Sequence, residues 1–228
     1  LRSDWSSDVC SSDLKLVLIF GILIAIASVV EGVLAINIAR KAVSEKVEAH
    51  LTDKAADVAE IIDGRINSTF QFLEGIARIP ILADQSIPYG EKEAQLQREV
   101  AFNKRLAQLN LYNLSGVRYT SDGKKVSVAD REWFKTAASG KHFVSEPLVS
   151  RSLDKFVLIF AVPVYDDAHT IVGVLNAVIL AERLSEDIAD IVVGKTGRCY
   201  IIGLTGNFIA HKDTSLVEKM YNPIEEAK

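Results

Sequence analysis

The sequence predicts an α+β protein in which a transmembrane helix and a long stalk helix precede a five-stranded antiparallel sheet. Three observations lead to this prediction. Residues 16–39 are almost entirely apolar, residues 40–79 repeat apolar side chains every three or four positions, and residues 106–180 contain five strand-like runs separated by turn residues. With 228 residues, 49% of them hydrophobic, the chain has room for one membrane span and one or two compact units.

Residues 1–14 lack hydrophobic periodicity and contain Ser-Asp three times. They resemble the translation of a sequencing adapter, and we expect them to be foreign to the natural protein. A natural, disordered tail is the alternative.

Residues 15–39 are predicted to form a transmembrane helix. At about 1.5 Å per residue, the apolar run that begins at Leu16 spans a hydrocarbon core of roughly 30 Å. A cleaved signal peptide is the alternative, because residues 25–27 have the small-x-small form of a cleavage site. The apolar run continues past these residues, which favours an uncleaved anchor.

Residues 40–80 are predicted to form a stalk, most of it one helix. Its apolar residues fall on a single stripe, and Pro80 ends the helix because proline disfavours helical backbone in the residue before it. About forty residues make a rod of roughly 60 Å. Such a rod can couple a membrane span to a distant pocket, or it can act only as a coiled coil that holds two chains together.

Residues 81–188 are predicted to form one sheet unit. After a loop and a charged helix at about residues 91–105, five strands are expected, and a short helix between the second and third strands should stop at Gly140. The strands are predicted at residues 106–112, 117–120, 142–149, 156–165 and 171–180. The last two are apolar throughout, so both of their faces should be covered. A five-stranded antiparallel sheet flanked by helices is the PAS-like arrangement.

Residues 189–228 are predicted to be the truncated start of a second PAS-like unit, beginning at a strand over residues 198–202. The turn at residues 114–116, with Asp122 beyond it, is echoed by a turn at residues 204–206, with Asp213 beyond it. Strand-like stretches flank both turns, which predicts a repeated hairpin.

Motifs for catalysis, cofactor binding and metal binding are weak or incomplete. Gly194-Lys195-Thr196 lacks the earlier glycine of a phosphate-binding loop, and there is neither a Gly-x-Ser-x-Gly elbow nor a His-Glu-x-x-His motif. His211 and Asp213 are expected to be solvated or hydrogen-bonded rather than metal ligands. Cys199 is expected to lie in a strand with its side chain in the protein core. The net charge of −4 gives no basic patch for nucleic acid. The chain is therefore predicted not to be an enzyme and to need no cofactor or metal.

Several short motifs follow one another in a characteristic order: Asp130-Arg131-x-Trp133-Phe134, Ser145-Glu146-Pro147, Ala161-Val162-Pro163-Val164 and Gly173-Val174-Leu175. Together they resemble the double Cache domain, the extracytoplasmic sensor module of bacterial chemoreceptors and some sensor kinases, over about residues 40–228. The resemblance implies a sensor outside the bacterial inner membrane, anchored in the lipid bilayer, that acts as a homodimer.

The resemblance also implies a ligand site. In amino-acid-sensing members an Arg-x-Trp-Tyr cluster binds the ligand carboxylate, and here Arg131 and Trp133 match while Phe134 replaces the tyrosine. Val126 and Val178 stand where those members have a second tyrosine and an aspartate that pairs with the ligand's amino group. We therefore expect Asp130, Arg131, Trp133 and Phe134 to form a site for an organic acid rather than a standard amino acid. The alternative is that Asp130 and Arg131 only pair and cap the short helix, with Trp133 in the core.

The function predicted is the ligand-sensing region of a transmembrane chemoreceptor that controls chemotaxis. The sensor region of a membrane histidine kinase or nucleotide cyclase is one alternative. A membrane-anchored binding module without an output domain is another.

Overall fold

The computed structural model describes residues 5–120, 123–189, 191–193 and 197–226. By its internal contacts the chain divides into two units, Leu1–Val58 and Ala59–Lys228.

Helix α1 spans Trp5–Ala77 and supplies all of the described structure of the first unit. From Leu14 onward it is long and apolar enough to cross a membrane, with a mean hydropathy of 2.6 in its most apolar window. Its side chains are exposed from residue 14 to residue 57. The predicted apolar helix is thus confirmed as a helix. The alternative of a disordered tail is wrong for residues 5–14, which are helical, whereas residues 1–4 lie outside the described residues.

The second unit begins with the end of α1, where Leu73, Ile76 and Ala77 are buried. The helix ends at Ala77, two residues before its predicted end at Ile79. Ile79 has an extended backbone, as expected of a residue that precedes proline. Pro80 instead starts the short helix α2, Pro80–Ala83, where its missing N–H is no loss. Helix α3 follows at Tyr89–Phe102, about two residues earlier than predicted.

The remaining elements of this unit follow in chain order: β1 (Gln108–Asn113), β2 (Val117–Tyr119), β3 (Lys125–Ser127), α4 (Glu132–Ala138), β4 (Phe143–Val144), β5 (Leu148–Val149), β6 (Phe156–Tyr165), β7 (Ile171–Leu180), α5 (Ala181–Ala189), β8 (Val192–Val193), β9 (Gly197–Arg198), β10 (Ile201–Ile202), β11 (Phe208–Ala210), α6 (Thr214–Glu218) and α7 (Pro223–Glu226).

The main sheet has five strands in the order β1-β7-β6-β4, with β5 also paired to β6, and every pairing is antiparallel. The predicted strand at residues 142–149 is split into β4 and β5. Two residues explain the split: the Ser145 hydroxyl accepts a hydrogen bond from the Ile159 backbone N–H at 2.9 Å, and Pro147 has no N–H to donate.

The predicted strand at residues 117–120 does not join this sheet, which corrects the predicted topology. Strand β2 pairs with β3 in a separate two-stranded ribbon. The Asn113 side chain redirects the chain by accepting hydrogen bonds from the backbone of Ser115 and Val117 at 3.0 and 2.9 Å. Gly116 then adopts a φ of 71°, a conformation that glycine tolerates best.

Strands β6 and β7 are covered on both faces, as predicted. Alternate residues of β6 face two different apolar clusters: Leu158, Phe160 and Val162 pack with the end of α1 and with α3, while Val157, Ile159 and Ala161 pack with α4. Helix α4 ends before Gly140, whose φ of 89° confirms the predicted helix stop. The second of these faces carries the candidate site.

The predicted repeat of a hairpin is wrong in its pairing. Strands β10 and β11 do form a hairpin, with Gly206 at a φ of 85° in its turn. Strands β1 and β2 flank Gly116 in the same way, but each pairs with a different strand. Asp122, the other member of the first motif, lies outside the described residues. The β10–β11 turn is held by Glu146, whose carboxylate accepts from the Leu204 N–H at 2.8 Å.

Candidate ligand-binding site

A pocket of about 280 Å³ lies on the face of the sheet that α4 covers. Strands β1, β6 and β7 form its floor, the β2–β3 ribbon and the first residues of α4 form one side, and residues 148–152 form another. This volume is close to the lower end of the range for ligand-binding pockets, about 300 to 1,000 Å³. The pocket is therefore large enough to hold a small organic molecule.

Helix α4 brings Arg131 and Trp133 to the pocket. Arg131 precedes the helix with extended backbone, and its carbonyl accepts the first helical hydrogen bond from the Lys135 N–H at 3.1 Å. Its side chain makes no capping hydrogen bond and instead lines the pocket. Trp133 is 6% exposed and packs edge to face on Tyr112, with ring centroids 5.5 Å apart.

The other two predicted residues do not line the pocket. Phe134 is buried behind it, edge to face against Trp133 and Tyr112. Asp130 is exposed and accepts a hydrogen bond from Arg151 at 3.1 Å, which holds the pKa of its carboxyl below the usual value. The alternative in which Asp130 pairs with Arg131 is therefore wrong in its pairing, although Trp133 does lie in the core.

The two positions that depart from the amino-acid-sensing pattern also line the pocket. Val126 lies on β3 and Val178 on β7, where Val178 is 3% exposed. The resemblance implies a tyrosine at the position of Val126 and an aspartate at that of Val178 in amino-acid sensors; here both side chains are apolar and lie in the same pocket as Arg131.

Sequence reasoning missed several polar residues of the pocket. Asn110 on β1 and Asn176 on β7 are register partners joined by a side-chain hydrogen bond of 3.0 Å. Each interrupts an otherwise apolar run, and this signal was available in the sequence. Arg118 on β2 is 9% exposed and also lines the pocket. Nothing in the exposed-looking segment Val-Arg-Tyr indicated its burial.

The pocket is cationic. Among the described residues that line it are Arg118, Arg131 and Arg151, but no aspartate or glutamate. Asp130 offsets Arg151 from outside the lining. Burial raises the pKa of the Tyr112 phenol, while the charge of Arg118 and a hydrogen bond from it oppose that rise. The arrangement favours an anionic ligand, since guanidinium groups bind carboxylates through parallel hydrogen bonds.

The residues considered for metal or thiol chemistry lie elsewhere. Within the described ranges no group of three His, Cys, Asp or Glu side chains could hold a metal ion. The His211 ring accepts a hydrogen bond from the Asp213 N–H at 2.9 Å, as expected, and Asp213 caps α6. Cys199 is half-buried between β9 and β10, which corrects its prediction as a core residue of a strand, and burial raises the pKa of its thiol. The rejected motif at residues 194–196 lies outside the described residues.

Solved structures with this fold include ligand-binding domains of chemoreceptors. The domain of the Pseudomonas aeruginosa amino acid chemoreceptor PctC, in complex with GABA, is 23% identical with a TM-score of 0.56, over 77% of this chain and 78% of that one. The domain of Pseudomonas fluorescens CtaA with L-isoleucine is 18% identical with a TM-score of 0.59, over 82% and 76%. The domain of Campylobacter jejuni Tlp3 with 4-methylisoleucine is 18% identical with a TM-score of 0.55, over 76% and 69%.

No curated protein sequence matches the chain. The family model dCache_1, described as a Cache domain, matches residues 35–228, which is most of the sequence. The chain therefore belongs to the Cache domain family.

Proposed function

We propose that this chain is the extracytoplasmic ligand-sensing region of a bacterial transmembrane chemoreceptor and that its pocket binds a small organic acid. One observation carries the proposal: Arg131 and Trp133 line a cationic pocket in which Val126 and Val178 occupy the two positions that differ from amino-acid sensors. In this proposal residues 81–188 are the membrane-distal sensor unit, and residues 189–228 belong to a membrane-proximal unit.

The chemistry of the pocket supports a carboxylate ligand. The Arg131 guanidinium can donate two parallel hydrogen bonds to a carboxylate, and the neighbouring Trp133 indole excludes water from that contact. A standard amino acid would also bury its ammonium group. With Val178 at the position of the aspartate, that ammonium would lack its ionic partner, and burying an unpaired charge is costly. The amino acids and GABA bound by the related domains are therefore not the ligands expected here.

The long helix supports a role in signalling. Helix α1 spans Trp5–Ala77, and its last turns belong to the core on one face of the sheet. A ligand that binds one of two arrangements of this core more tightly would shift the population of helix positions. Val43, Val47 and Leu51 are exposed along the helix, and in the proposal a second copy of the chain covers them to form a homodimer.

Binding to the full chain in lipid nanodiscs tests the proposal. Isothermal titration with short monocarboxylates, their amides and L-amino acids should give saturable binding of the acids and none of the amides. Arg131→Gln should weaken acid binding by about tenfold to a hundredfold, because it removes a charge-assisted hydrogen bond worth about 1.5–3 kcal/mol. Arg183→Gln is the matched control, since Arg183 lies on α5 away from the pocket and pairs with Glu186. Acid binding that survives Arg131→Gln in a folded protein would contradict the proposed site.

A further inference from the structure

The Arg118 guanidinium is buried in the pocket without a full set of partners. The side chain is 9% exposed, and its Nε is fully buried with no hydrogen-bond acceptor among the described residues. Buried polar groups in native proteins are nearly always hydrogen-bonded, and buried charges are nearly always paired. Arg118 lines the pocket and hydrogen-bonds to Tyr112, but no Asp or Glu among the described residues pairs with it. Its charge can therefore be matched by an acidic group of the ligand.

Arg118 and Arg131 reach the pocket from different elements. Arg118 lies on β2, where it is the register partner of Val126 on β3, whereas Arg131 precedes α4. The remaining arginine of the lining, Arg151, is already bonded to Asp130. Two guanidinium groups on separate elements can each hold one acidic group of the same molecule.

We propose that the pocket selects a short dicarboxylate, with one carboxylate on Arg131 and the other on Arg118. This inference rests on the proposed function and specifies its ligand class. The volume of about 280 Å³ accommodates a short carbon chain. The Asn110–Asn176 pair on the floor of the pocket supplies neutral polar contacts for hydroxyl or carbonyl groups of that chain.

Succinate and succinamate form the test pair, because they differ only in the replacement of one carboxylate by a neutral amide. In titrations of the full chain in nanodiscs, succinate should bind at least about tenfold more tightly, the effect of one charge-assisted hydrogen bond. Arg118→Gln should remove this preference by weakening succinate binding alone. Arg118→Lys keeps the positive charge but loses the two parallel donors of the guanidinium group, so it should retain part of the preference for succinate.

Arg183→Gln is the matched control, since Arg183 lies on α5 away from the pocket and pairs with Glu186. It should leave the preference for succinate intact. An unchanged preference in Arg118→Gln would overturn the inference, as would an equal loss of the preference in Arg183→Gln. If Arg118→Gln lowers the melting temperature but leaves the ratio of the succinate and succinamate affinities unchanged, Arg118 has only a structural role. That result would also overturn the inference.

The inference and the proposed function fail in different ways. If wild-type protein binds succinate and succinamate equally, and Arg131→Gln weakens both, the dicarboxylate inference is wrong and the carboxylate site stands. If binding of both ligands is indifferent to Arg131, the proposed function itself is wrong. Should Arg118→Gln not fold, Arg118→Lys decides, because a folded lysine variant with the full wild-type preference would show that the arginine fork does not contact the second carboxylate.

Discussion

Asn110 and Asn176 face each other across β1 and β7, and the Asn110 Nδ2 donates a hydrogen bond to the Asn176 Oδ1 at 3.0 Å. Both side chains are buried in a sheet that is otherwise apolar at its centre. The pair lies on the floor of the candidate pocket, so one hydrogen bond belongs both to the centre of the sheet and to the pocket lining.

Replacing one member of this pair should destabilise the protein more than replacing both. Asn176→Leu leaves the buried Asn110 amide without its acceptor, and we expect a loss of about 1–3 kcal/mol in the free energy of unfolding. The double variant Asn110→Leu/Asn176→Leu leaves no such orphan and should cost less than the sum of the single variants. Urea denaturation measures all three, and strictly additive losses would show that the hydrogen bond contributes nothing to stability.

Gly116 should be required for the β2–β3 ribbon, whereas Gly123 should not. Both have positive φ, but a Cβ on Gly116 would lie 2.8 Å from the Ala129 backbone and one on Gly123 would meet nothing within 4 Å. Gly123→Ala should therefore lower the free energy of unfolding by only about 1–2 kcal/mol, the strain of a positive φ at alanine. Gly116→Ala should cost more and should also weaken ligand binding, because it displaces Arg118. Melting curves and titrations compare the two variants, and equal effects on both would contradict this account of the turn.

Asp187 on α5 should make stability dependent on acid pH. It pairs with Arg105 at 2.5 Å and with Arg65 at 2.7 Å. Burial alone would raise the pKa of this carboxyl, but the hydrogen bonds and charges of the two arginines hold it below its ordinary value. The folded-state pKa is thus lower than the unfolded value of about 3.9, so the contribution is present above that pH and is lost as the pH falls through the folded-state pKa.

Asp187→Asn should remove this acid dependence and cost about 1 kcal/mol or less at neutral pH, because the arginines are partly exposed. Denaturation at neutral pH and at about pH 3 measures the difference in the free energy of unfolding. The wild-type protein should lose its advantage over the variant in acid. An advantage that stays constant with pH would contradict the ionic role of Asp187.

Val178→Asp should shift the pocket towards amino acids. It places a carboxylate opposite Ile159 on the floor of the pocket, where it can pair with a ligand ammonium and will repel the second acid of a dicarboxylate. We expect measurable binding of L-serine and at least about a tenfold loss for succinate. Val178→Asn is the control, since it has the same shape without the charge. If both variants respond alike, charge at this position does not determine ligand choice.

The central strands could be predicted from the sequence to the residue. Strands β6 and β7 occupy the predicted residues 156–165 and 171–180, because continuous apolar runs bounded by polar turns leave few alternatives. The prediction that strand β2 belongs to the main sheet is wrong. The three residues of this strand are too few to show a clear hydrophobic pattern. The turn that directs it towards β3 depends on hydrogen bonds to the Asn113 side chain, which the sequence does not reveal.

The candidate site could be predicted only where a motif marks it. Arg131 and Trp133 were found through the resemblance to sensor domains, and both line the pocket. Arg118 lies in an alternating segment in which either set of side chains could face inward, and only the packed ribbon shows which one does. Asp130 and Phe134 belong to the same motif but lie outside the pocket lining, where Asp130 pairs with Arg151 and Phe134 packs against Trp133 and Tyr112.

The fluorescence of Trp133 tests the central claim most directly, because the indole lines the pocket beside Arg131. With Trp5→Phe as the background, Trp133 is the remaining tryptophan of the chain. Titration of the full chain in nanodiscs with short carboxylates should change its emission saturably, and Arg131→Gln should abolish the change. A saturable response to carboxylates that persists in Arg131→Gln, or a response to amino acids alone, would contradict the assignment of this pocket as an organic-acid sensor.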